Sequence, residues 1–138
     1  MSAFTLTEDY VKDWLKKLYT QDFSLIDPEL QWTIGSEKKC PVRLTGVYTL
    51  NSWFEEVLKP MLSRLQPVEN PGVNPKCIDI IGNNKAILEV ESQATQRNGN
   101  PYNNRYVWIL IFTDEGKVVE IREYLDTALV QEVMQTNP

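Results

Sequence analysis

Apolar residues recur along this chain with two different periods, and the change from one to the other divides it. Across residues 5–20 the spacing is helical. Tyr10, Val11, Trp14, Leu15 and Leu18 share one face, and Lys12, Asp13, Lys16 and Lys17 form the other. Thr5 followed three residues later by Glu8 is a capping-box pair, which puts the predicted start at Thr5. Residues 21–26 read as a further short turn of helix ahead of Pro28. Residues 29–34 read as a short strand with Leu30, Trp32 and Ile34 on one side, and residues 35–46 as a polar loop or weak strand. A second helix is predicted from Asn51 or Ser52, with Ser52 and Glu55 as its cap. Its broad stripe comprises Trp53, Phe54, Val57, Leu58, Met61, Leu62 and Leu65, and Pro60 within it predicts a kink or a split. Residues 66–75, rich in proline, form a loop with the length to cover something.

From residue 76 the period becomes that of strands. Residues 76–81 and 85–97 are predicted strands joined by Gly82-Asn83-Asn84, and a second turn follows at residues 98–101. Residues 102–126 then read as a hairpin whose turn is Asp114-Glu115-Gly116-Lys117. Tyr106 to Phe112 is an unbroken non-polar run. Side chains alternate faces along a strand, so both faces of this one are expected to be covered. By parity Asn104, Tyr106, Trp108, Leu110 and Phe112 share the face expected to line a cavity. Arg105, Val107, Ile109 and Ile111 share the other, which suits an interface with a second subunit. Residues 127–135 close the chain as a short helix. Helices first and a meander of long antiparallel strands afterwards is an α+β plan, expected as one domain over residues 1–138.

Composition narrows the function. A formal charge of −5 disfavours nucleic acid and anionic membrane surfaces as partners. No apolar run approaches the roughly 18 residues of a membrane span, and the N-terminal ten residues lack a signal-peptide pattern. Cys40 and Cys77 form no zinc spacing and read as reduced thiols of a cytoplasmic protein, with one bridge between them left open. Histidine is absent, which removes Ser-His-Asp and Cys-His nucleophile arrangements. Acid–base chemistry would have to use Asp, Glu, Tyr, Lys or Cys.

Two N-terminal helical segments, a long meander and the stretch PYNNRYVWILIFTDEGKVVEIREYLDT together resemble the SnoaL-like polyketide cyclases. They are also similar to the wider nuclear-transport-factor-2-like superfamily of ketosteroid isomerases, limonene epoxide hydrolases and scytalone dehydratases. The resemblance implies a strongly curved, mixed or antiparallel sheet wrapped into a cone, closed by the N-terminal helices, with a short C-terminal helix. It also implies a homodimer through the outer sheet face. The aspartate that ends the last strand takes part in the active sites of the cyclases and the epoxide hydrolase; its match is Asp126. The epoxide hydrolase's Arg-x-Asp pair falls on Glu89 and Glu91. Glu89 replaces the arginine, so that relay is broken. The isomerase base has no match.

The expected site therefore pairs Asp126 with Glu91 as catalytic carboxylates, each raising the other's pKa in an apolar cone. Asn104, Tyr106, Trp108, Tyr124, Arg122 and Glu89 are expected around the substrate. Other roles are open: Asp126 also fits the N-cap of the last helix, Glu91 an outer-face position, Arg122 an ion pair and Tyr124 a core position. The expected activity is a cofactor-independent, metal-free cyclase, isomerase or dehydratase. Its substrate would be a small hydrophobic oxygenated molecule such as a polyketide or terpenoid intermediate. A non-catalytic ligand-binding or dimeric interaction module on the same fold is the alternative.

Overall fold

The structure is a computed structural model and describes residues 4–137. The start of the N-terminal stretch read above for a targeting signal lies outside the described residues. Helix α1 runs Glu8–Tyr19 and buries Val11, Trp14, Leu15 and Leu18, the face read from the spacing. Its cap is Thr7 rather than Thr5: the Thr7 hydroxyl accepts the Tyr10 N–H at 3.1 Å. Instead of a further helical turn, the chain enters strand β1 (Ile26–Ile34), three residues earlier than the apolar alternation alone predicts. Strand β2 (Gly46–Tyr48) follows the loop.

The second helical segment begins at Leu50 under a reciprocal box between Thr49 and Ser52, and Pro60 does split it. Helix α2 (Leu50–Trp53) passes into a π-helical stretch, Phe54–Leu58, before helix α3 (Lys59–Ser63) resumes. Pro60 has no N–H to return to the preceding turn, and the ladder widens just ahead of it. The strands are β3 (Asn74–Ile81), β4 (Lys85–Glu91), the short pair β5 (Ala94–Thr95) and β6 (Pro101–Tyr102), then β7 (Arg105–Phe112) and β8 (Val118–Leu125). The single strand predicted over residues 85–97 is broken after Glu91, where buried Ser92 accepts the Asn104 N–H. Helix α4 (Thr127–Thr136) ends the fold.

The main sheet has the order β2-β1-β8-β7-β4-β3. It is curved and not closed. All pairings are antiparallel except β1 with β8, which makes the sheet mixed. Trp14, Trp32, Trp53 and Trp108 meet on its concave side. Trp32 stacks on Trp53 with centroids 4.3 Å apart, and Trp108 meets the edge or face of Trp14, Trp32 and Tyr106. Helix α1 is tied to the β7–β8 turn by Tyr10, whose hydroxyl donates to the Gly116 carbonyl. Gly116 adopts φ +80°, and a Cβ there would lie 2.6 Å from the Tyr10 hydroxyl, so the turn requires glycine twice over. No helix among the described residues is long and apolar enough to cross a membrane.

Candidate functional site

Between the concave face, the split helix and residues 66–73 lies a cavity of about 320 Å³. Tyr106 and Trp108 project into its wall from β7, as their parity predicts, and Tyr19, Trp53 and Tyr102 add further aromatic surface. Leu58, Met61 and Leu65 close one side, and Val68, Pro71 and Val73 lie across it. Leu44 holds the left-handed region at φ +59° and also reaches the wall, its carbonyl accepting from the Tyr48 hydroxyl at 2.9 Å.

One ionisable carboxylate lines the cavity, and it is Glu123. On β8, Ile121 and Glu123 face inward, opposite Leu110 and Trp108 of β7. The intervening residues, Glu120, Arg122 and Tyr124, face outward. Glu123 is 6% exposed, and Glu123 Oε1 accepts the Trp32 Nε1–H at 2.9 Å. Burial raises its pKa from 4.5 to about 7, against the smaller lowering effect of the indole hydrogen bond. Among the described residues no lysine or arginine lines the cavity, so none of them holds the carboxylate ionised there.

A second polar group in the wall is made of hydroxyls. Tyr102 and Tyr106 lie with their oxygens 3.1 Å apart, and the Tyr106 hydroxyl donates weakly to Ser92 Oγ at 3.5 Å. Asn104 Nδ2 donates to the Tyr102 hydroxyl at 3.2 Å. Burial pushes both phenols above the ordinary tyrosine value. They therefore remain donors at neutral pH. Trp108 carries a buried indole N–H with no acceptor among the described residues.

The other expected site residues lie elsewhere. Asp126 is exposed one residue beyond β8, outside the cavity wall, and its Oδ1 accepts the Ala128 and Leu129 N–H groups at 3.0 and 3.2 Å. It is the N-cap of α4. Because Leu125 turns inward, the next residue turns out. Glu91 sits on the convex side, 3.7 Å from Arg105 and 3.9 Å from Lys76, and Glu89 is exposed beside it. Arg122 pairs with Glu120 at 3.2 Å on that outer side, where Tyr124 is 50% exposed. Asn104 is buried behind the wall as a latch: Nδ2 donates to the Asp126 carbonyl and Oδ1 accepts the Asp126 N–H. Asp126 and Glu91 thus do not share the cavity, and the carboxylate that lines it is Glu123. Among the described residues no three Asp, Glu, Cys or His side chains gather as a metal site requires. Cys40 and Cys77 are both free thiols.

Replacing Asp126 with alanine is expected to lower stability by about 1 kcal/mol in urea unfolding. The NMR titration midpoint of Glu123 should not move, whereas a coupled carboxylate pair would shift it.

The sequence held a signal for Glu123. Ile121, Glu123 and Leu125 form one row of β8 and Glu120, Arg122 and Tyr124 the other. Glu123 is the charge in the apolar row, and parity counted from Asp126 chose the polar one.

No family model matches the sequence, and no curated protein does. Solved structures match at the level of the fold. An NTF2-like protein of unknown function from Burkholderia pseudomallei superposes with a TM-score of 0.71 at 15% identity, over 91% of this chain and 95% of its own. A pinacolase from Penicillium brevicompactum gives 0.65 at 16% identity, over 92% and 90%. A steroid delta-isomerase from Pseudomonas aeruginosa gives 0.56 at 13% identity, over 93% and 88%. The chain has the nuclear-transport-factor-2-like fold expected from its final hairpin.

Proposed function

We propose that the cavity is the active site of an isomerase- or cyclase-type enzyme in which Glu123 moves protons on a neutral, apolar, oxygen-bearing molecule. The observation that carries this reading is a buried carboxylate, without a cation, in the wall of an aromatic cavity. At a pKa of about 7 it is part ionised and part protonated at neutral pH, so it serves as base and then as acid. The isomerase and the pinacolase that share the fold support the reaction class.

One carboxylate is sufficient for such a reaction. The ionised Glu123 takes a proton from a carbon beside a carbonyl; the C–H electron pair moves into the carbonyl and leaves an enolate. The Tyr102–Tyr106 hydroxyl pair is the donor group in the wall suited to that oxygen. Where the ketone is β,γ-unsaturated the enolate is a conjugated dienolate, and protonated Glu123 returns its proton to the γ-carbon as the double bond moves into conjugation with the carbonyl, which completes an isomerisation. Alternatively the enolate carbon attacks a second carbonyl of the same molecule, and Glu123 protonates the resulting alkoxide, which completes a cyclisation. In both cases proton and electrons balance without a further reagent. A volume of about 320 Å³ falls at the lower end of ligand cavities, suiting a compact molecule. Among the described residues the charge in the wall is the acidic Glu123, which disfavours carboxylate- and phosphate-bearing substrates.

The test is deuterium exchange at the α-carbons of a panel of apolar cyclic ketones in D₂O, followed by NMR. The parent protein should catalyse exchange, faster above pH 7 than below it. Glu123→Gln should reduce the rate by at least about a hundredfold. Exchange by that variant at the parent rate would overturn the reading and favour a ligand-binding module.

A further inference from the structure

The carboxylate of Glu123 has two oxygens, and the protein engages one of them. Among the described residues the Trp32 indole is the sole side-chain or backbone donor to this group, bonding Oε1. That donor is held with little freedom. Trp32 is 0% exposed on β1, paired through its backbone with Tyr48 on one side and Ile121 on the other. Its ring stacks on Trp53 at 4.3 Å and 15°, and Trp108 packs edge-on against it at 5.4 Å. The indole therefore cannot turn its N–H away without breaking the aromatic packing. Trp32 is absent from the cavity wall, so it does not itself meet an occupant.

We infer that Trp32 is the positioning residue of this site: its indole N–H clamps Glu123 Oε1 and leaves Oε2 as the oxygen that exchanges protons with the substrate. The inference rests on the reading of Glu123 as the proton-transfer group and goes further, assigning a role to each oxygen. A carboxylate fixed at one oxygen presents the other in one direction, which is what transfer between two carbons of one molecule needs. The same bond favours the ionised form and opposes the effect of burial, keeping the base available near neutral pH. The other titratable groups facing Glu123 are the phenols of Tyr19 on α1, Tyr48 on β2 and Tyr102 on β6. All three are raised above the ordinary tyrosine value, so none changes charge between pH 5 and 9.

The experiment uses the full chain without substrate. In protein labelled with ¹⁵N-tryptophan, the Trp32 Nε1–H resonance should titrate with the Glu123 carboxyl ¹³C signal, both with a midpoint near 7. In Glu123→Gln the indole signal should stay hydrogen-bonded and lose its pH dependence. In Trp32→Phe the carboxyl midpoint should rise by roughly one pH unit, as expected for losing a hydrogen bond to a charged group. The pH at which ketone exchange reaches half its maximum should rise with it. A midpoint unchanged in Trp32→Phe overturns the positioning role while leaving Glu123 as the acid–base group. A parent midpoint near 4.5 overturns the reading of Glu123 instead. If Trp32→Phe does not fold, the parent spectrum decides: an indole signal that stays still while Glu123 titrates sinks the inference.

Discussion

Glu123→Gln should be more stable than the parent protein above pH 7, by roughly 3 kcal/mol, and equal to it below about pH 4. The unfolded chain ionises this carboxyl near 4.5 and the folded chain near 7. Between those values the folded state holds a proton that the unfolded state has released. Stability due to this group is therefore fully present below 4.5 and falls as pH rises through 7. The size follows from the separation of the two values at about 1.4 kcal/mol per pH unit. Glutamine is neutral throughout and still offers an oxygen to the Trp32 N–H, so its stability lacks this slope. Urea unfolding of both proteins at pH 4, 6 and 8 checks it. Because other groups titrate equally in both, the difference between the two proteins is the quantity to read. A difference that does not grow with pH would mean that Glu123 is solvated. A substitution that abolishes turnover and raises stability would mark the carboxylate as retained for chemistry.

Trp108→Ala should cost about 3–5 kcal/mol, the largest loss expected from one substitution in the cavity wall. Trp108 is 2% exposed at the centre of the sheet, with Leu88 beside it on β4 and Glu123 on β8. It packs edge-on against Trp14, Trp32 and Tyr106, so its removal strips a contact from three aromatic rings at once. The space left behind would join the existing cavity. Trp108→Phe keeps most of the packing and removes an indole N–H that has no acceptor, so it should cost well under half as much. Urea midpoints at constant slope would measure both. A Trp108→Ala protein within 1 kcal/mol of the parent would contradict the packing described for the concave side.

Much of the fold was legible because its signals are local. Seven consecutive apolar residues on β7 announced a strand, and their alternation placed Tyr106 and Trp108 in the cavity. Pro60 announced the split helix. The start of β1 was not legible, since Ile26-Asp27-Pro28 has no alternation of its own and is drawn into the sheet by Val118 of β8, far along the chain. The two caps illustrate the limit of short motifs. Thr5 and Thr7 both precede acidic residues, and Thr49 and Ser52 both stand at the start of the second helix. Which residue takes the N-cap position depends on where the chain arrives from. The site was half legible. Asp126 has a well-defined local role, capping α4, and that role leaves it outside the cavity. Glu123 becomes the cavity's carboxylate only through burial, which depends on Trp32 and α1, and burial is a property of the assembled fold.

The bond between Trp32 and Glu123 joins residues 91 positions apart, across the one parallel pairing of the sheet. The antiparallel ribbon β3-β4-β7-β8 has short connections and can zip together early. Strand β1 has to close a loop that contains nearly everything else, at an entropic cost that delays it. Glu123 is then the last carboxylate to be dehydrated as the chain folds. It keeps an ordinary acidity until β1 docks against β8 and buries it.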